Sequence, residues 1–385
     1  MNSRVFIFSL LFAASSLLYA FDFGLVLDQE ATYSSDGSDT SFEYKGILVP
    51  RFSFPLGSNG EFILTAGLDY QNDPWAVVPE LLETQLGFSS AVIDFSIGRF
   101  FYTDPLGFIA DGLFDGLHLY FDTNIGVFGI GAWYTGFLCK RRANIEMTLK
   151  EYDYNNSAIE YNDFINTYFA PKRVLAALDW EQTNIAKHFR LKAALIGQFD
   201  LTDVKLNSQY IALKMTLPFR GFAFDLGGCF ELIQQKSQSG SDEIEKAFAA
   251  EMGFSWIGQK QGLSFLGRYS SGSSDSLSAF LPLTTIAQGN IIEPKLSALS
   301  VLSLDYTVRL HNTFSFSLTP SYFIDTSNFE FSFLGGELFG KLSFSPVSDI
   351  IVNLGGGVFM PSLGDVSPKE KNLWQVKLNF IMSFF

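Results

Sequence analysis

The side chains of this 385-residue chain best placed to do chemistry are single charges set between apolar neighbours. Lys45, Arg51, Asp69, Asp94, Arg190, Lys192, Lys214, Asp225, Arg268, Asp305, Arg309 and Lys377 follow this pattern, most with an aliphatic or aromatic residue on each side. Successive side chains of an extended chain point to opposite faces, so each such charge leaves a greasy face for a wet one. Charges gathered on a wet face can pair with one another, or set up a transverse field that orders water and selects polar solutes. Arg173, Lys341, Glu43, Asp122, Asp179, Glu231, Glu251 and Glu337 extend the same set. Catalysis is poorly served by comparison. His188 and His311 fall at predicted turns, and His118, with Asp122 four residues on, reads as a polar wall residue without a serine or acid at a telling spacing. Cys139 and Cys229 make no disulfide framework, and with no metal-ligand cluster or phosphate loop no cofactor is expected.

Strands must position these charges. The last stretch, Asn372 to Phe385, alternates Trp374, Val376, Leu378, Phe380, Met382 and Phe384 against Gln375, Lys377, Asn379 and Ser383. That phase puts Phe384 on the apolar face as the terminal aromatic and Phe385 in register with Lys377. Phe42, Tyr44, Leu48, Phe52 and Phe54 alternate likewise against Glu43, Lys45, Arg51 and Ser53. About 18 such strands can be read along the chain, with roughly 16–20 possible, and an even number lets a closed antiparallel barrel keep both termini on one side. Short turns follow the even strands, whereas the longest connections, 138–172 and 271–297, follow odd ones. The expected fold is therefore all-β: a single transmembrane antiparallel β-barrel with short turns on one rim and longer loops on the other. A soluble sandwich or propeller is the competing architecture, but it would not carry six apolar residues in alternation opposite a wet face. Composition agrees, with 47% hydrophobic residues and 42 Phe but no uninterrupted apolar run past residue 20 long enough for a membrane helix. The phase is nearly forced, because an Arg or Lys on the lipid face at mid-bilayer costs about 2–4 kcal/mol.

Residues 1–20 read as a cleaved export signal, with Arg4 as its base, Val5 to Leu18 its apolar core and Leu18-Tyr19-Ala20 its cleavage site. Residues 21–385 are then the barrel. The net charge is −14, and losing Arg4 makes it −15, which argues against nucleic acid as a partner. The expected partners are outer-membrane lipid, the machinery that assembles barrels and small polar solutes; the oligomeric state stays open.

A barrel of about 18 strands is too wide for wall side chains to fill, so an aqueous channel is expected unless loops plug it. Arg51, Arg190 and Lys192 are the cations expected near its narrowest point. The 138–172 connection, with Lys140-Arg141-Arg142 and many aromatics beside acids, reads as a solvated external loop with its own packing. The apolar run Ala279 to Thr284 suggests that 271–297 packs on the rim or enters the lumen. The segment Ile97-Gly98-Arg99-Phe100 to Ala110-Asp111-Gly112-Leu113-Phe114-Asp115-Gly116 resembles a pattern of alginate-export-type and related substrate-specific outer-membrane porins, where a strand ends in Gly-Arg and a short loop leads to Asp-Gly. The resemblance implies a solute-conducting porin whose arginine adds to a basic lumen. Strict alternation instead points Arg99 outward, so either Gly98 marks a bulge or Arg99 snorkels at the interface. The reading is thus a passive channel for small polar or anionic solutes, carbohydrate-derived ones among the candidates. A fatty-acid-type transporter is the alternative, followed by an outer-membrane hydrolase and a structural or adhesive barrel.

Overall fold

The computed structural model describes residues 21–384 apart from 73–74, 186–188, 203–204, 237–241, 275–276, 328–330 and 365–370. The export signal, His188 and Phe385 lie outside the described residues. Eighteen strands form one sheet. They are β1 (Asp22–Ser35), β2 (Thr40–Leu56), β3 (Gly60–Asn72), β4 (Trp75–Ser89), β5 (Ile93–Thr103) and β6 (Asp111–Thr123). Next come β7 (Gly126–Tyr134), β8 (Arg173–Ile185), β9 (Phe189–Asp200), β10 (Leu206–Phe219), β11 (Phe222–Lys236) and β12 (Asp242–Ile257). The last are β13 (Gln261–Ser270), β14 (Leu299–His311), β15 (Phe314–Asp325), β16 (Ser332–Val347), β17 (Ile350–Met360) and β18 (Leu373–Phe384).

Each strand pairs antiparallel with its sequence neighbour, and β18 closes on β1 from Leu25 opposite Phe384 to Ser35 opposite Trp374. Closure matters because lipid offers no partner for the free N–H and C=O groups of an edge. Two or three residues link each even-numbered strand to the next, so these turns share one rim with both ends of the sheet. Strands of 9 to 17 residues are long enough to cross a bilayer.

Directly opposed residues share a face. Leu25, Leu27, Ala31 and Tyr33 therefore stand on the face of Phe384, Met382, Leu378 and Val376, and all of these point outward. Near the turn rim this outer face carries a belt of ring pairs: Phe21 with Phe54 at 5.8 Å, Phe88 with Phe95 at 5.6 Å, Phe222 with Phe254 at 5.8 Å and Phe314 with Phe344 at 4.5 Å. Such girdles sit at bilayer interfaces, which gives the many phenylalanines a place. Phe384 is exposed on this surface. Gln29 is a polar exception on β1, and it satisfies itself by accepting from the Tyr44 hydroxyl and donating to the Asp28 carbonyl at 2.8 Å.

Several strands run further toward the loop rim than the alternation predicts. β4 begins at Trp75 rather than Leu82, β6 at Asp111 rather than Leu117 and β12 at Asp242 rather than Phe248. The added residues include Pro79, Glu80, Asp111 and Asp115, so the apolar rhythm fades while the ladder of backbone hydrogen bonds continues.

Candidate functional site: the lumenal constriction

Three connections fold inward and fill one side of the barrel. The first is 104–110, between β5 and β6. Asp104 organises it locally, its buried carboxylate accepting backbone N–H bonds from Leu106 at 2.8 Å, Gly107 at 3.1 Å, Ile109 at 2.8 Å and Ala110 at 2.9 Å. The loop crosses the lumen to the far wall. Leu106 lies so close to Gly227 of β11 that a Cβ there would come within 2.4 Å of Leu106 Cδ2. Phe108 meets Phe280 edge-on at 6.1 Å, and the Arg268 guanidinium sits 5.3 Å above the Phe108 ring.

The second connection, 135–172, contains helices α1 (Lys140–Ala143), α2 (Leu149–Asn156) and α3 (Phe164–Tyr168). Thr148 and Glu151 cap α2 with a reciprocal capping box. Glu151 then bonds Arg173 of β8 at 2.6 Å, and the same guanidinium faces Asp200 at 3.6 Å and Gln198 at 2.7 Å. Arg173 is fully buried, so these partners hold its charge in place. Burial and the neighbouring Arg141 push Lys140 below the usual lysine range; its ammonium donates to Ser157 at 2.8 Å. The expected solvated external loop is therefore a lumenal insert, because a single internal arginine anchors its capped helix.

The third connection, 271–298, takes the second of its two predicted courses and enters the lumen, burying Phe280 and Leu283. Backbone bonds knit it to the others: the Ile109 carbonyl accepts from Leu283 at 2.8 Å and Thr284 at 3.2 Å, and the Asn144 carbonyl accepts from Thr285 at 2.9 Å. Wall carboxylates hold it from behind. Glu231 accepts from Leu281 N–H at 2.9 Å, and Glu337 from the N–H groups of Asn290, Ile291 and Ile292 at 2.7, 3.0 and 3.2 Å.

The inner faces of β18, β1, β2 and β3 stay open, whereas Ala76 and Val78 of β4 are buried against Cys139, Ile159 and Tyr168 of the second insert, and a cavity of about 560 Å³ is left between wall and α1. The wall contributes Asp28, Glu30, Asp69 and Glu80 with Lys45; the insert contributes Arg141 and Arg142. Arg142 bridges two acids, at 3.0 Å to Glu80 and 2.9 Å to Asp69. Burial works against its charge, but the two carboxylates more than offset this and hold it above its ordinary value. Burial, then the charge of Glu80, pushes the adjacent Cys139 thiol up to about 12. Lys45 pairs with Glu43 at 3.1 Å. Asp28 accepts from the Asn379 amide at 2.6 Å and has no ion-pair partner among the described residues, Glu30 accepts from the Thr32 hydroxyl at 3.4 Å and lies directly opposite Lys45 in the β1–β2 register, and Arg141 has no side-chain partner among the described residues. The cavity thus keeps the unpaired Arg141 on one side and, on the other, the unpaired Asp28 with Glu30 beside Lys45. That arrangement can orient a dipolar or charged solute across the gap.

The inner face is the one the inserts touch, and the pairing register carries it round the barrel. Lys45 and Asp69 fall in the cavity. Arg51 is opposite Gly24 near the start of β1, and Arg190 opens β9 just past its turn. Lys192 lies beside Lys214 and pairs with Glu181 at 3.0 Å. None of these three lines the cavity beside α1, whose cations are Lys45 of the wall and Arg141 and Arg142 of the insert. Lys214 and Arg268 share Glu251, at 2.7 and 3.4 Å, below the insert. Asp94 accepts from Ser90 N–H at 3.2 Å at the β4–β5 turn, Asp225 accepts from Thr216, and Asp305 accepts from Thr307 and Thr319 at 3.0 and 2.8 Å. Arg309 lies near the turn rim, and Lys377 approaches Glu293 of the third insert at 3.8 Å.

Gly98 adopts φ +115°, a conformation that favours glycine, and the β4–β5 ladder stops at Thr84 opposite Arg99. Arg99 turns into the resulting gap, buried rather than snorkelling, and grips Asp115 through two bonds of 2.9 and 2.8 Å. It also donates to the carbonyls of Leu81 and Phe137. His118 meets Asp179 at 3.1 Å in the wall, and Cys139 and Cys229 are free and buried. Among the described residues no cluster of His, Cys, Asp and Glu could hold a metal, and no helix is long and apolar enough to cross a membrane.

No family model matches the sequence, and no curated protein does either. Solved structures do. OccK2 (OpdF) of Pseudomonas aeruginosa superposes with a TM-score of 0.66 at 10% identity, over 96% of this chain and 98% of that one. This chain shares the OccK2 fold. The crystal structure of OccK2 in complex with glucuronate matches with a TM-score of 0.64 at 9% identity, covering 95% and 98% of the two chains. Acinetobacter baumannii OccAB4 matches at 0.60 and 10% identity, covering 95% and 98%.

Proposed function

We propose that this chain is an outer-membrane channel for passive diffusion of small polar solutes, anionic ones among them. The carrying observation is the charged cavity between the Arg141–Arg142 tip and the acidic wall of β1, β3 and β4. The fold likeness to OccK2 supports it, and the OccK2 complex suggests hydroxylated carboxylates such as glucuronate as the first solutes to try. In this reading Lys45 and Asp69 line the constriction. Arg51, Asp94, Arg190, Lys192, Lys214, Asp225, Arg268, Asp305, Arg309 and Lys377 line the approaches. The turn rim faces the periplasm, as short turns do in bacterial barrels, and residues 1–20 are removed on export. A fatty-acid transporter fits less well, because the cavity wall carries carboxylates and guanidinium groups rather than an apolar lining.

Planar-bilayer recording of the refolded protein, with and without glucuronate, tests the proposal. Ion current that glucuronate reduces saturably is the expected result. Absence of current would sink the channel reading, and saturable fatty-acid binding without current would favour the transporter.

A further inference from the structure

The barrel holds a second cavity, of about 580 Å³, at the turn rim. Its frame is two neighbouring turns and the ends of β14 and β16, tied by backbone bonds, Arg309 N–H to the Lys260 carbonyl at 2.7 Å and Ser345 N–H to the Thr313 carbonyl at 2.8 Å. Every charged or titratable side chain lining it is basic: Lys260, Arg309 and His311. Neither Lys260 nor Arg309 has a carboxylate partner among the described residues, although Lys214 and Arg268 higher in the barrel share Glu251. Asp305, two positions along β14 from the cavity's Thr307, is already occupied by two threonine hydroxyls. Around the cations stand the hydroxyls of Ser315, Ser343 and Ser345, none with a side-chain hydrogen bond among the described residues. His311 uses Nδ1 toward Thr313 at 3.2 Å, which leaves its other ring nitrogen available.

Unpaired cations beside unpaired hydroxyl donors, in a concave site without an acid, form a donor set that fits an oxyanion. We propose that this cavity binds the carboxylate or phosphate group of a small polar solute, with Arg309 and Lys260 supplying charge and the serines supplying the remaining donors. The cations are exposed, so affinity is weak, on the order of millimolar, which suits a site that must release what it holds. The site is independent of the constriction: the barrel can conduct without it.

The test uses the full barrel in nanodiscs and two probes, inorganic phosphate followed by ³¹P line broadening and gluconate followed by saturation-transfer NMR. Wild type should bind at least one probe. Lys260→Gln with Arg309→Gln should weaken that binding roughly tenfold, while Arg220→Gln, at the β10–β11 turn and outside both cavities, should leave it unchanged. The probe that binds tells phosphate from carboxylate. Binding of neither probe, or equal binding by wild type and double variant, overturns the site. Conductance in potassium chloride, recorded on the same preparations, separates this failure from failure of the channel reading, and unchanged heat-modifiable gel migration shows that the variants fold. If the double variant fails to fold, Arg309→Lys with Lys260→Gln takes its place, with weakened binding again expected and wild-type affinity overturning the proposal.

Discussion

The inner faces of β9 to β12 and of β18 to β3 are built on the same alternation, yet they hold opposite contents. On the first, Ala194, Ala212, Cys229 and Ala249 are successive cross-strand neighbours, all buried under the inserts. On the second, the corresponding rows carry Asp28, Glu30, Lys45, Asp69 and Asn379, and they face the cavity. Small side chains on one wall leave room for Leu106, Phe108 and Phe280 to pack. Charges on the other would lose their water if a loop settled there, at a cost of several kcal/mol per unpaired ion, so the inserts settle away from them. The wall's own residues decide where the lumen stays open.

The severest way to break this comparison is to free the second insert. Arg173→Ala leaves Glu151 and Asp200 without their buried counter-charge, and a loss of about 3–5 kcal/mol is expected in urea unfolding from liposomes, with larger and noisier conductance. Next, Gly227→Ala puts a methyl group where Leu106 sits and should cost about 1–3 kcal/mol; the double variant with Leu106→Ala should recover most of it. A loss that Leu106→Ala leaves unrelieved would mean the loop tip does not press on that wall.

On the open side, Arg142→Ala should expose Asp69 and Glu80 and raise the cation-to-anion permeability ratio about threefold, read from reversal potentials in a salt gradient. An unchanged ratio would remove this arginine from the conducting path. The mildest probe is the Cys139 thiol. With its pKa raised to about 12, it stays protonated at pH 8, and it is buried. Maleimide should label it at least about a hundredfold more slowly in the folded barrel than in denaturant, with labelling rising as pH approaches that value.

The barrel itself was legible because lipid outside and water inside impose a two-residue period on every crossing. The closing strand was read in phase, with Trp374, Val376 and Leu378 exposed outside and Lys377 within. The constriction was harder to read. Alternation reports which face a side chain joins, not how deep a loop travels, so Arg141 and Arg142 looked like solvated charges. One signal of it does stand in the sequence: inward positions along β9 to β12 switch from charged to Ala and Cys, which marks the seat of an insert. Asp104 could not be weighted from sequence alone, since its importance lies in four backbone bonds made by residues that follow it closely.

The carbonyl of Ile109 joins the first and third inserts, and the bridge between Ile145 and Thr284 joins the second. Three segments far apart in the chain therefore behave as one mechanical part. Should that part shift, it shifts whole, and the current through the barrel should change in discrete steps between a few levels rather than flicker in three independent rhythms.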